Sequence, residues 1–292
     1  MGIALSSAVA AAAHVRVAHT VAFGAYILKP GAMRDALVAA ARDGANVTVT
    51  LQADPYDDDG TLKHMNEDAA RALRAAGARV SLVDHDREPF HLKAAVCDGV
   101  AYLDDRNWPP DDEGGLVVRD DDPRDVALVR SALDGMPGAD PVLATRKDAA
   151  LRREAALIRR AGDAPLVAST ESFGGGSVEI ALRERARRGL PTTLIVDGKE
   201  LKPATKTLLR ELQNDGVVVR ESDADEKFVL AGDTAWIGSA NATYAGGSGG
   251  RQTDWGLVTR DPAVLAALRA KLQEAGVPAG AGAAPPGRPS AP

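Results

Sequence analysis

The stretch that decides the fold is His91-Leu92-Lys93-Ala94-Ala95-Val96-Cys97-Asp98, in a chain of 292 residues. Its apolar centre predicts a β-strand over residues 91–97, and residues two apart in a strand point to the same face. His91 and Lys93 are therefore expected to lie side by side. Asp98 has the opposite parity, so we expect it to brace the end of the strand.

An imidazole beside an ammonium group is suited to attack on a phosphorus atom. In such a pair the imidazole of His91 is the nucleophile, and the charge of Lys93 neutralises the non-bridging oxygens of the phosphoryl group. The spacing His-x-Lys-x4-Asp is moderately specific by itself. It gains weight because the chain carries most of the pattern a second time.

An internal repeat runs through the chain in the same order in both halves. Lys93 stands fourteen residues before Asn107, and Lys227 stands fourteen residues before Asn241. Two longer echoes are 115–120 with 256–261, and 17–24 with 167–174, which matches His19 with Ser169. A repeat that keeps its order predicts two halves of the same architecture.

Strands and helices are predicted to alternate in each half, which gives an α/β fold class with mostly parallel sheets. Residues 4–13 are predicted as the first helix and residues 14–22 as the first strand. The chain is expected to divide into halves at 1–140 and 141–275. The remaining residues, 276–292, are mostly Gly, Ala and Pro and are predicted to be a disordered tail, because they cannot bury a core.

The two motifs resemble those of the phospholipase D superfamily, which comprises phosphodiesterases and phosphatidyltransferases. The resemblance covers roughly residues 3–275, and its first motif is intact. In the second motif Asp225 stands where the family has a histidine and Gly232 where it has an aspartate, while 238–241 keeps the family's Gly-Ser-x-Asn. The first half has Asp104-Asp105 in place of Gly-Ser. The resemblance implies two α/β/α halves packed around a pseudo-twofold axis.

The resemblance also implies a covalent phosphohistidine on His91, with no metal and no cofactor. Glu113, six residues past Asn107, matches a family glutamate that orients the imidazole of the nucleophile. The predicted catalytic residues are His91, Lys93, Asp98, Glu113 and Asp225. The residues predicted to bind substrate are Asn107, Lys227, Ser239 and Asn241.

The source of the proton for the leaving oxygen is open, because all five histidines lie at or before residue 91. Asp225 serves as a general acid only if burial or a neighbouring negative charge raises its pKa well above ~3.9. Two other hypotheses remain. The chain is a non-catalytic pseudoenzyme that binds a phosphodiester, or it is a nuclease whose second histidine comes from a homodimer partner.

Composition bears on the substrate and the compartment. A net charge of −6 and a pI of about 5.5 argue against a protein that wraps long nucleic acid. Aromatic residues make up only 4% of the chain, which disfavours stacking on bases. We therefore expect a phospholipid or small diester. A single cysteine, Cys97, and the lack of a segment apolar enough to span a membrane predict a cytoplasmic location.

Overall fold

The computed structural model of the protein describes residues 2–56, 61–84, 89–109, 115–199, 201–223, 226–244 and 250–277. Up to residue 133 its elements are β1 (Ala4–Ser6), α1 (Ala8–Val17), β2 (Thr20–Ala25), α2 (Ala32–Arg42), β3 (Asn46–Gln52), α3 (Thr61–Ala75), β4 (Arg79–Val83), β5 (Ala94–Cys97), β6 (Val100–Asp104), β7 (Val117–Asp120) and α4 (Pro123–Leu133). The elements that follow are β8 (Leu143–Arg146), α5 (Lys147–Arg160), β9 (Leu166–Thr170), α6 (Ser177–Arg187), β10 (Thr192–Asp197), α7 (Pro203–Asn214), β11 (Val218–Ser222), β12 (Phe228–Ala231), β13 (Thr234–Gly238), β14 (Thr253–Thr259) and α8 (Pro262–Glu274).

The strands form two seven-stranded sheets with the same topology. The first has the order β1-β7-β6-β5-β2-β3-β4, and the second, read from its other edge, has the order β8-β14-β13-β12-β9-β10-β11. Each strand of the first sheet therefore has a counterpart at the same place in the second, seven strands later in the chain. The predicted α/β fold class with two repeated halves is confirmed.

The prediction of mostly parallel sheets was wrong. In the first sheet only β2, β3 and β4 are parallel neighbours, and the pairs β2–β5, β5–β6, β6–β7 and β1–β7 are antiparallel. The reason is the short link between β5 and β6, where Asp98 and Gly99 both have positive φ, of 46° and 86°. An Asp-Gly pair in this conformation makes a tight hairpin turn, and a hairpin joins antiparallel strands.

The N-terminal prediction was shifted along the chain. Residues 14–17 belong to α1, which begins at Ala8, and the strand begins only at Thr20. Ser7 sets this start, because its side chain accepts a hydrogen bond from Ala10 N at 3.0 Å. The sequence prediction also missed β1, which pairs with β7, and β8, which pairs with β14.

The core consists of apolar faces buried between sheet and helices. β2 is buried at five consecutive positions, which is typical of a strand covered on both faces. The helices α2 and α6 end at Arg42 and Arg187, two residues before Gly44 and Gly189, whose positive φ of 92° and 74° ends the helix. These two glycines end equivalent helices of the two halves.

The chain forms two compact units that do not follow its order strictly. The described residues within Met1–Ala150, Ile237–Ala240 and Ala245–Asp261 form the first unit, and those within Leu151–Trp236, Asn241–Tyr244 and Pro262–Pro292 form the second. A boundary at residue 140 stays a prediction, and the predicted tail lies largely outside the described residues. Among the helices that the structure describes, none is both long and apolar enough to cross a membrane.

Candidate functional site

A backbone bridge in the first unit positions His91. His91 N donates to Thr253 O at 2.9 Å, Thr253 N donates to Pro89 O at 2.9 Å, and Phe90 and Thr253 form a parallel bridge. Residues 89–91 therefore leave the sheet ladder, which explains why β5 begins at Ala94 and not at residue 91 as predicted. The bridge also places Asp254, the residue after Thr253, beside the imidazole of His91.

The imidazole of His91 lies between a carboxylate and an ammonium group. Nδ1 is 2.7 Å from Asp254 Oδ1, and Lys93 Nζ is 2.8 Å from both ring nitrogens. A carboxylate accepts and does not donate, so this contact assigns the ring proton to Nδ1. The lone pair of Nε2 then faces the ammonium group of Lys93. The predicted proximity of His91 and Lys93 is present although both residues precede the strand.

Asp254 is buried and held in its ionised form. Burial by itself raises the pKa of this carboxyl, but His91, Lys93 and Lys147 outweigh burial, and the net pKa is lowered. Ser239, also buried, donates to Asp254 Oδ1 at 2.8 Å and accepts from Trp255 N at 3.1 Å. Ser239 was predicted to bind substrate, and the structure places it behind Asp254, where it orients that carboxylate.

Lys93 is almost wholly buried, with 2% of its surface exposed. The carbonyl oxygen of Lys93 accepts from Asp104 N at 3.0 Å. The carbonyl oxygen of Asp104 in turn accepts from Trp255 Nε1 at 2.8 Å. These bonds tie the segment before β5 to the ends of β6 and β14. The ammonium group of Lys93 also lies 5.8 Å from the centre of the Tyr26 ring, within the range of a cation–π contact.

Asp104 and Asp105, which replace the family's Gly-Ser, turn into the protein. Asp104 Oδ2 accepts from Trp108 N at 2.6 Å, and Asp105 Oδ1 accepts from Leu116 N at 2.9 Å. Burial raises the pKa of Asp104, against the opposing effects of backbone hydrogen bonds from Trp108 and Arg106 and of the charge of Lys93. Both carboxyls are fully buried, so they hold the loop after β6 and do not face an anion at the protein surface.

A second layer of polar side chains fixes the surroundings of His91. Gln52, fully buried, accepts from Phe90 N at 2.8 Å and donates to Val83 O at 2.9 Å. Asn66 donates to Tyr26 O at 2.8 Å, and the Tyr26 ring lies 4.8 Å from the His91 ring between centroids. A cleft of about 210 Å³ opens here, and it is lined by Tyr26, Pro89, Phe90, His91 and Gln252.

The second motif has different surroundings within the second unit. Lys227 Nζ lies 2.9 Å from Glu171 Oε2, and Asn241 Nδ2 donates to the same oxygen at 3.4 Å. Asn241 Oδ1 accepts from Ser172 N at 3.0 Å. The two residues predicted to cradle a phosphate in this half therefore both contact a carboxylate of the chain itself.

The strand ladders correct the predicted match between residues 17–24 and 167–174. Ala94 pairs with Gly24, and its repeat counterpart Phe228 pairs with Ser169. Gly24, and not His19, is therefore the counterpart of Ser169. Counting two residues onward, Tyr26 of the first unit corresponds to Glu171 of the second.

The other predicted site residues are placed as follows. Asp98 sits in the turn after β5, at the opposite end of that strand from His91, and accepts from His19 N at 2.9 Å and Thr20 N at 2.8 Å. Asn107 has a buried side-chain oxygen without a hydrogen-bond partner among the described residues. Glu113 and Asp225 lie outside the described residues, so their predicted roles stay predictions.

Sequence reasoning missed Asp254, although the repeat contained the signal. Glu113 stands two residues before Gly115, and Asp254 stands two residues before Gly256, the matching glycine of the second half. The carboxylate that contacts His91 is thus the second-half counterpart of the one predicted to do so. Within the described ranges, no cluster of three or more His, Cys, Asp or Glu residues is arranged to hold a metal ion.

Comparison with solved structures agrees with this architecture. A polyphosphate kinase from Porphyromonas gingivalis matches with a TM-score of 0.63 at 15% identity, over 93% of this chain and 46% of that chain. Nuc from Salmonella typhimurium, a phospholipase D family member, matches with a TM-score of 0.38 at 17% identity, over 42% of this chain and 83% of that one. NucT from Helicobacter pylori matches with a TM-score of 0.38 at 14% identity, over 46% of this chain and 94% of that one.

This chain spans less than half of the polyphosphate kinase that it matches. No family model matches the sequence, and no curated protein matches it. At such low identity the likeness with a TM-score of 0.63 speaks for the fold. Together with the strand-by-strand repeat, it shows that this chain shares its fold with the matched part of that polyphosphate kinase.

Proposed function

We propose that this chain is a phosphoryl-transfer enzyme in which His91 attacks a phosphodiester. The observation that carries the proposal is the imidazole held at 2.7 Å by the buried Asp254 and at 2.8 Å by the buried Lys93. A histidine fixed by a carboxylate on Nδ1 keeps Nε2 unprotonated, as a nucleophile requires, and in the proposed reaction the Lys93 ammonium moves from Nε2 to the phosphoryl oxygens as substrate binds. A histidine with a purely structural role would not need a buried ammonium at its second nitrogen.

In the proposed reaction, Nε2 of His91 forms a bond to phosphorus while the bond to the leaving oxygen breaks. The bonding electron pair departs with that oxygen, and the imidazole becomes cationic. Asp254 stabilises this cation through the Nδ1 hydrogen bond. Water then attacks phosphorus, the phosphohistidine bond breaks, and a phosphate monoester, a proton and the neutral imidazole are released.

Lys93 supplies the positive charge that the phosphoryl oxygens need as the transition state forms. Its ammonium group is buried, so its interaction with those oxygens is stronger than in water. We therefore propose a metal-independent reaction. The nearby cleft, with Tyr26, Phe90 and Pro89 in its wall, supports a small diester or a phospholipid head group as substrate.

A second candidate substrate is a phosphoanhydride, and the distribution of histidines favours it. No histidine follows residue 91, and Asp225 stands at the repeat position of His91. A phosphate leaving group, with its second pKa near ~6, departs at neutral pH without a general acid. An alkoxide from a lipid or nucleotide does not, so a single-imidazole site is better matched to an anhydride or an activated ester.

The experiment is hydrolysis of bis-p-nitrophenyl phosphate, and separately of pyrophosphate, in the presence of EDTA. We expect the purified protein to hydrolyse at least one of these two substrates. His91→Ala should lower that rate by a factor of at least ~10³. His64→Ala is the matched control, because His64 is an exposed histidine on α3. Quenching with denaturant at alkaline pH should trap the radiolabelled phosphoryl group on the wild-type protein and on His64→Ala but not on His91→Ala, in a linkage that later acid treatment releases.

Two outcomes contradict the proposal. If His91→Ala and wild type hydrolyse both substrates at the same rate, His91 is not the nucleophile and the non-catalytic alternative is supported. If EDTA abolishes the activity, the reaction is not metal-independent. A rate that rises with the square of protein concentration would instead support the homodimer alternative.

A further inference from the structure

Glu171 contacts both second-motif residues that would otherwise be offered to a phosphate. Its Oε2 is 2.9 Å from Lys227 Nζ and 3.4 Å from Asn241 Nδ2. The side chain of Lys227 is only 4% exposed, whereas that of Glu171 is 46% exposed. The carboxylate thus reaches from the surface to a buried ammonium, as an incoming anion would.

The first unit has no carboxylate at the corresponding place. Tyr26 is the counterpart of Glu171, and its ring lies beside Lys93 without offering a charge. The ammonium of Lys93 is directed at His91 instead. At this position the first half therefore has an uncharged ring, and the second half has a carboxylate that contacts the motif lysine.

The loop that carries Glu171 is held in place independently of the ion pair. Ser172 N donates to Asn241 Oδ1 at 3.0 Å, and Ala242 N donates to Thr170 Oγ1 at 3.1 Å. Phe173 and Ala242 form a parallel bridge. These bonds fix the backbone on either side of Glu171, and the fixed backbone places the carboxylate beside Lys227.

We propose that the carboxylate of Glu171 occupies the anion position of the second motif and closes the second half to phosphate. A phosphate at Lys227 would have to displace this carboxylate or accept its repulsion at short range. Glu171 lies on the wall of a cleft of about 580 Å³ that also contains Lys199 and Lys202. Removing the charge of Glu171 therefore converts this wall into a phosphate site.

The test is binding of inorganic phosphate to Glu171→Gln, measured by calorimetry and by the shift in Tm. All proteins carry His91→Ala, so that any binding at the first motif is reduced equally. We expect Glu171→Gln to bind phosphate at least ~10-fold more tightly than its parent. The gain should vanish when Lys227→Met is added. Glu184→Gln is the matched control, because Glu184 pairs with Arg159 on the surface of the same unit.

Equal phosphate affinity in Glu171→Gln and Glu184→Gln would overturn the proposal. A second measurement needs no substitution of Glu171, in case that variant does not fold. Phosphate binding by the parent protein should be unchanged by Lys227→Met, and a Lys227-dependent loss would show that the second motif is already open. Neither result depends on whether His91 is the nucleophile.

Discussion

At the scale of single residues, the chemistry rests on one carboxylate that does not belong to the motif of the nucleophile. Asp254 contacts Nδ1 of His91 at 2.7 Å and is fully buried. Ser239 and the backbone bridge at Thr253 determine where the carboxylate points. Asp254 therefore positions the imidazole, and in the proposed reaction it stabilises the imidazolium.

Asp254→Asn is expected to lower kcat by about 10²–10⁴-fold with a small change in KM. An amide can donate to Nδ1 and so favour the wrong tautomer, and it cannot stabilise an imidazolium. The measurement is steady-state hydrolysis of bis-p-nitrophenyl phosphate over pH 5–9. Asp43→Asn, on the exposed residue that follows α2, is the control. A variant with wild-type kcat at every pH would remove Asp254 from the mechanism.

How much of the site could be predicted differs from residue to residue. His91 and Lys93 were predictable because their chemistry and spacing are local. Asp254 stands 163 residues from His91, and the sequence signals it only through the repeat, by its place two residues before Gly256. The correspondence between Tyr26 and Glu171 could not be found by aligning the sequences of the two halves, because strand pairing fixes the correct register.

At the scale of elements, the turn between β5 and β6 explains why the second motif does without its aspartate. Asp98 and Gly232 occupy the same position after Lys93 and Lys227, and both have positive φ, of 46° and 59°. Glycine adopts this conformation at low cost, so Gly232 preserves the turn. What Gly232 loses is the set of hydrogen bonds that Asp98 makes to the start of β2.

Asp98→Ala is expected to lower the free energy of unfolding by about 1–2 kcal/mol, through loss of bonds to a charged acceptor. Asp98→Asn should lose less, because asparagine tolerates positive φ. The measurement is urea unfolding at pH 7, with activity measured in parallel. Hydrogen bonds from the backbone of His19 and Thr20 lower the pKa of Asp98 to about 2. The contribution of Asp98 to the free energy of unfolding should therefore be complete above pH ~4 and be lost as the pH falls towards 2. Unchanged stability with lost activity would instead assign Asp98 to catalysis.

A cluster of three carboxyls links α4 to its neighbours. Burial, a hydrogen bond to Asp140 and the charge of Asp120 raise the pKa of Asp125 to about 8. The folded protein thus holds a proton that the unfolded chain releases above ~4, so stability should fall as the pH rises towards 8. In Asp125→Asn this part of the pH dependence should disappear, as measured by Tm between pH 5 and 9. Asp134→Asn, at the exposed end of α4, is the control. The same slope in Asp125→Asn and wild type would contradict the assignment.

Long, periodic elements were predicted and short edge strands were not. The helices that end before Gly44 and Gly189 carry both an apolar face and a stop signal. In contrast, β1 has three residues and β8 has four, which is too short for a period to appear. Such strands form because an existing sheet edge, β7 or β14, offers them backbone partners.

At the scale of the whole molecule, the two sheets have kept one topology while their chemistry has diverged. The first half has His91, Lys93 and an uncharged Tyr26, and the second has Lys227 with Glu171. The repeat could be predicted from the spacing of a few residues, because the topology follows from it. The divergence in chemistry could not be predicted, because it depends on which charged side chains come into contact in the folded protein.

Rates are expected to depend steeply on the leaving group, because the second half contains no histidine. A nitrophenolate leaves without help, whereas an alkoxide, whose conjugate alcohol has a far higher pKa, needs a proton in the transition state. Asp225→His should raise the rate of hydrolysis of a dialkyl phosphodiester by about 10²-fold and leave the rate with the nitrophenyl diester unaffected. The measurement is kcat/KM for both substrates, with Asp223→His as the control.

Asp225→Asn tests the competing hypothesis for the same step. If this variant slows the alkyl diester and spares the nitrophenyl diester, Asp225 is the general acid. If both substrates react at wild-type rates, the leaving oxygen departs unassisted. Equal rates for the two substrates in the wild-type protein would contradict unassisted departure of the leaving oxygen.

The bridge between Phe90 and Thr253 has a consequence for synthesis on the ribosome. His91 emerges 163 residues before the carboxylate that orients it. A nascent chain that has folded its first sheet still has an unaligned imidazole, and alignment waits until β14 is delivered. Contacts between such distant positions also slow folding, since a long loop must close first. On the proposed mechanism, His91 is therefore aligned for attack only once β14 has been made, and a translation product that ends before β14 is expected to be inactive however well its early strands assemble.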